Sequence, residues 1–342
     1  MTNAKKISAV FLVVIVITLF AYHFWNTNSA ATPPEPMTVA ENTQNTSTTE
    51  VNNSTAPLVN MAELDSKPYL ETGKKHYDDD WCMPDQELSE SDLMYAQSEL
   101  ENWFEALGMA KIGVDKTSSF LTDLNPNHVY VAPYESLPID ELQTLALEGD
   151  KWAMIAFVQD TRADINIQEK VAKQLLVHGA SYYALDFLTM KSLSSAAFKR
   201  DIGHPEQEVN NLIVDAFAYL YWGLSTYNEG GLDTYLEMVS KNPLVTSLPF
   251  DKIFPVIDEQ VNQRIEQLND WVLQERAAKG IVAPEPPAAI KKLTAHSIAA
   301  KERLYKEQMN QLRQLNVSAA EKIQVTPCIE KILARIAETS KK

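Results

Sequence analysis

Beyond about residue 85 the apolar positions recur at helical rather than strand spacing. In LSESDLMYAQSELENWFEALG, the residues Leu93, Tyr95, Leu100, Trp103, Phe104 and Leu107 supply apolar surface. Ser89 or Ser91 offers an N-cap and Gly108 a stop, so a first helix is predicted here. A second is predicted after Pro138, where Leu142, Leu145 and Ala146 form an inner stripe that Gly149 ends. Asp150 then suits the cap of KWAMIAFVQD, because its carboxylate can accept otherwise unpaired amide hydrogen bonds. The arrangement recurs. NIQEKVAKQLLVHG carries Val171, Leu175 and Leu176 and stops at Gly179, and SYYALDFLTMKSL follows with Ser181 as its candidate cap. Gly179 lies 30 residues after Gly149, and Trp152 and Phe157 fall on Tyr182 and Phe187. A third, looser unit, QEVNNLIVDAFAYLYWGLSTY, sets Leu212, Ala216, Ala218, Tyr219 and Leu220 on a helical face of small and large residues.

The texture then changes. EGGLDTY at 229–235 reads as a break and KNPLVTSLPFDK as a connection. Val256, Val261, Ile265, Leu268 and Val272 predict a long amphipathic helix from about Pro255 to Lys279. Pro284, Pro286 and Pro287 punctuate the chain, a further helix is predicted over Ala288–Leu315, and a last one in PCIEKILARIAETS. The heptads are not strict, so these helices are expected to pack on their own chain as caps rather than form a coiled coil.

LALEGDKWAMIAF, LLVHGASYYALDF and AFAYLYWGL resemble the Sel1-like branch of the tetratricopeptide-like helical repeats, over about residues 138–228. The resemblance implies an all-α, solenoid-like helical-repeat domain. In it, alanines permit close helix crossing and the glycine turns the chain. It also implies protein–protein binding or scaffolding, in a setting such as envelope assembly or secretion. The sequence departs from the family pattern in VQDTRADINI, which carries no glycine between the two copies.

The N-terminus has a different pattern. Ile7–Trp25 is a run of 19 residues without a formally charged side chain, long enough as a helix to span a bilayer. Lys5 and Lys6 on the short side favour a cytoplasmic N-terminus, and Tyr22 and Trp25 suit the opposite interface. The competing reading is a signal peptide cleaved near Asn28-Ser29-Ala30. The run is long and rich in β-branched residues, and it favours an uncleaved anchor in a bacterial inner membrane with the main body in the periplasm. Residues 26–65 are rich in Pro, Thr, Asn and Ser and too poor in apolar groups to offset the entropy of ordering them. The expected organisation is therefore a cytoplasmic end (1–6), a transmembrane anchor (7–25) and a tether (26–75). A helical domain with the repeats (76–240) and a C-terminal segment of long helices (241–342) follow.

Composition narrows the choice of partner. The chain holds 30 basic and 46 acidic residues, a net charge of −16. So acidic a surface disfavours nucleic acid and anionic headgroups. The expected contacts are a protein partner and the lipid around residues 7–25. Cys82 and Cys328, beyond the anchor in an oxidising space, suit either one disulfide or two separate thiols.

Candidate chemistry is sparse. His76, His128, His178, His204 and His296 are scattered, with no HExxH motif, and no cofactor is expected. Asp78, Asp79, Asp80 and Asp85 lack the spacing of a calcium loop and read as solvated charge. Glu141 and Glu148, seven apart, are the pair that a hydrolase of envelope polymer would need, but ordinary helix-end acids explain both. A hydrolase and a purely structural accessory domain are the two alternatives to an interaction module. The candidate partner contacts are Trp152, Tyr182, Tyr183, Tyr221 and Trp222, each read first as core.

Overall fold

A computed structural model of the chain describes residues 90–109, 128–283, 285–287 and 289–339. Among them regular structure is entirely helical, without a strand. The expected cytoplasmic end (1–6), anchor (7–25) and tether (26–75) lie outside the described residues. Among the described residues no helix is long and apolar enough to cross a membrane.

Helix α1 (Glu90–Ala106) closes through Gly108 at φ 79°, and α2 (His128–Glu135) leads into the paired helices. The pairs are α3 (Ile139–Glu148) with α4 (Lys151–Gln159), α5 (Ile165–His178) with α6 (Tyr182–Asp201), and α7 (Glu206–Ser225) with α8 (Gly230–Lys241). Each pair turns through one left-handed residue: Gly149 at φ 96°, Gly179 at φ 81°, and in the third pair Tyr227 at φ 55°. The positive φ lets the last amides of the first helix bond back to its own carbonyls, as Gly149 and Asp150 do to Ala146 and Leu145.

The Asp150 carboxylate accepts from the amides of Trp152 and Ala153, capping α4 as expected. Asp164 does the same for α5, from Asn166 and Ile167. Ser181 stands at the N-cap of α6 but makes no capping bond; its hydroxyl instead accepts from Asn228 Nδ2 at 2.8 Å, tying the second turn to the third.

The expected break at 229–235 is instead the first part of α8. Here the glycines serve close approach. A Cβ on Gly230 would stand 2.5 Å from the Tyr182 carbonyl oxygen, and one on Gly231 2.9 Å from the Leu220 Cα. The backbones of α6, α7 and α8 meet where no side chain fits.

After α9 (Pro243–Thr246) comes α10 (Phe250–Lys279), which begins five residues before its predicted start and carries Pro255 in its second turn. The helix expected over 288–315 is two, α11 (Ala289–Leu304) and α12 (Lys306–Leu312), separated at Tyr305, whose φ of −133° and ψ of 38° leave the helical region. A 3-10 segment (Ser318–Ile323) and α13 (Pro327–Thr339) complete the described chain.

Two apolar clusters hold these helices. The first gathers α1 to α6, with Trp222, Val272 and Ile290 reaching in from later helices. The second gathers the end of α6 with α7, α8, the inner half of α10 and the C-terminal helices. Phe217 is its hub, with ring centroids 5.0 Å from Phe254, 5.4 Å from Tyr235 and 5.9 Å from Phe250. This cluster runs across residue 240, so the paired helices and the long helices after them share one core.

Candidate functional site

The five aromatic residues read first as core and second as candidate partner contacts are the natural starting point. Tyr221 is completely buried and donates its hydroxyl to the Leu312 carbonyl at 2.7 Å; Trp222 is buried beside it in sequence. Tyr182 and Tyr183 are buried too, edge to face with centroids 5.1 Å apart. These four side chains therefore have no surface to offer. The reason is the packing of α6 and α7, which other helices cover on more than one side, so adjacent residues pointing in different directions are both enclosed. Burial, and for Tyr182 the neighbouring Asp233, raises both phenol pKa values well above the ordinary range. Only Trp152 is half-buried, and its ring is already engaged. Tyr130 stacks on it at 4.6 Å, and Lys151 Nζ lies 4.8 Å from the ring centroid.

What the structure does bring together is a buried polar hub on α6, α8 and α11. Lys301 Nζ is 2.6 Å from Glu229 Oε2, 2.8 Å from Asp233 Oδ1 and 2.6 Å from Ser297 Oγ, which uses its three donors. Burial alone would lower the lysine pKa; Glu229 and Asp233 outweigh it and hold the ammonium above its ordinary value. Tyr182 donates to Asp233 Oδ2 at 3.2 Å, and Thr234 donates to Asp186. Burial, followed by the charges of Glu237 and Asp233, raises the Asp186 carboxyl above the usual carboxylate range. Ser297 and Lys301 stand four apart on one helical face. Their partner Glu229 is 68 and 72 residues away, so no local pattern announces the hub. Chemically it is a closed clamp, since every donor of the lysine is taken.

A second polar seam crosses α5, α6, α7 and α10. Glu169 receives Lys173 at 2.7 Å and also Lys191, while Asp215 pairs with Arg264. Arg276, on the outer part of α10, donates Nε to the Val177 carbonyl at 2.8 Å and Nη2 to that of Leu176 at 2.9 Å. Both are last-turn carbonyls of α5, where a helix leaves acceptors over, and that of Leu176 also receives the Gly179 amide at 3.3 Å.

The remaining candidates stand apart from one another. His178 is half-buried at the end of α5, its pKa lowered by burial and by Lys279. His204 is exposed, with Nδ1 3.2 Å from Glu208. Glu141 and Glu148 are both exposed on α3. Among the described residues no group of three or more His, Cys, Asp or Glu is arranged to hold a metal ion. His76, Asp78, Asp79, Asp80 and Asp85 lie outside those residues, as does Cys82. Cys328 is buried near the start of α13 and is not a free thiol. An open polar groove of about 450 Å³ between the start of α10 and α12 is lined by Asp251, Lys306, Glu307, Asn310, Gln311 and Gln314.

Comparison with protein families, curated proteins and solved structures gives no match to this chain.

Proposed function

We propose that this chain is a membrane-anchored interaction or scaffolding module, held by residues 7–25 and displaying its helical body in the periplasm. One observation carries the proposal: three successive helix pairs, each turned through a left-handed residue and packed on the next. Such pairs build an extended helical surface from short units, which is the physical basis on which repeat proteins present contact area. The Sel1-like resemblance over 138–228 belongs to this proposal, as does its setting in envelope assembly or secretion. A Cys82–Cys328 bridge belongs to it too, supported by the burial of Cys328 and its lack of a free thiol. The bridge would tie the start of the body to its last helix.

Site-specific photo-crosslinking of the anchored chain in its own membrane tests the reading. Crosslinkers replace the exposed Leu147, Phe198 and Leu273, one at a time. A protein captured reproducibly from one of these positions and not the others supports a docking face. Failure to capture any reproducible partner, from these or further exposed positions, weighs against it. The bridge has its own test: equal free-thiol counts with and without reductant would remove it.

A further inference from the structure

Helix α10 is held very unevenly along its length. Its 30 residues make a rod of about 45 Å. Phe250, Ile253, Phe254, Ile257 and Val261 are buried within its first twelve residues, and all join the cluster around Phe217. Beyond Val261 only Val272 is buried, and it belongs to the other cluster, with Leu175 and Leu176 of α5. Ile265, Leu268 and Trp271 are only partly covered, and Leu273 is half exposed. The rest of the attachment is polar and reaches from the far end: the two Arg276 bonds to α5 carbonyls, and Lys279 donating to the Gln174 side chain. Gly280, at φ 65°, ends the helix directly after these tethers.

We infer that the outer part of α10, Ile265–Lys279, is a strap that opens from α5 as a unit while the inner part stays locked around Phe217. Segments with few buried apolar contacts open locally at a lower free energy than the fold as a whole. Arg276 is the latch: a charged donor bonded to two carbonyls is its strongest single attachment, and an opened strap returns those carbonyls to water. Opening uncovers Val272 and the part of α5 that it covers. The inference stands whether or not the chain is an interaction module, because it rests on α10 alone.

Hydrogen exchange of the full chain in detergent micelles, resolved to peptides within α10, tests it. Amides of 266–279 are expected to exchange at least about tenfold faster than those of 253–261. Arg276→Gln is expected to speed the outer amides by about a further tenfold and leave the inner ones within about twofold. Lys279→Gln acts in the same direction with a smaller effect. Equal protection along the whole of α10 in the unmodified chain overturns the strap. So does an Arg276→Gln effect spread evenly over both parts. Should Arg276→Gln fail to fold, the unmodified chain and Lys279→Gln still decide.

Discussion

The paired helices (139–241) and the C-terminal helices (250–339) are held in different ways. In the pairs, order is built from neighbours. A left-handed turn, a capping carboxylate and a stripe of alanine and leucine act within one or two turns of each other. In the C-terminal segment the decisive polar contacts come from far away in sequence: Lys301 to Glu229, Arg276 to Val177, Tyr221 to Leu312. The lesson is about redundancy. A local turn shares its work with adjacent residues, whereas a long-range clamp has a single cation answering several acceptors.

That contrast can be broken most directly at Lys301. Lys301→Met leaves the partly buried Glu229 and Asp233 without their cation and is expected to cost up to about 3–5 kcal/mol in urea denaturation of the full chain. The triple variant that also carries Glu229→Gln and Asp233→Asn should recover part of the loss. A loss under about 1 kcal/mol would mean that the hub does not discriminate the two regions.

Next comes Gly230→Ala, where the third pair packs on the second. The new Cβ meets a backbone carbonyl that cannot swing away, so a loss of about 1–3 kcal/mol is expected in the same measurement. Asp150→Ala, within the first pair, should cost only about 1 kcal/mol, since the left-handed turn before it survives. If Asp150→Ala proved as damaging as Lys301→Met, the claim of local redundancy would fail.

The smallest effect concerns pH. The Asp186 carboxyl has its folded pKa raised by burial, so its contribution favours the fold below the unfolded carboxylate pKa and is lost as pH rises through the folded one. Asp186→Asn keeps an acceptor for Thr234 and abolishes this titration. Its stability relative to the unmodified chain should therefore rise from acid to neutral pH, by a small amount. Denaturation midpoints across that range check the sign.

Legibility in the sequence follows the same division. The turns at Gly149 and Gly179, the Asp150 cap and the stripe Leu142, Leu145 and Ala146 could be read from residues a few positions apart. EGGLDTY misled for a specific reason. Two glycines signal a break by their conformational freedom, yet here they permit contact between α8 and the backbones of α6 and α7. The break at Tyr305 and the early start of α10 were missed because neighbouring propensity favours continuing one helix and starting the other after proline. Tyr182, Tyr183, Tyr221 and Trp222 suited either core or contact, because helical periodicity reports a face and not what covers it.

By itself the sequence determined the helical class, the left-handed glycine turns of the first two pairs, and many of the apolar positions that form the two clusters. These depend on interactions within a turn or two, where spacing is geometry. Tertiary structure alone decided that four aromatic residues are enclosed, that Ser181 serves Asn228 rather than a cap, and that Lys301 finds two carboxylates on α8 and its preceding turn. A charged or aromatic side chain carries its chemistry in its name, but its partner is set by the path of the chain between them.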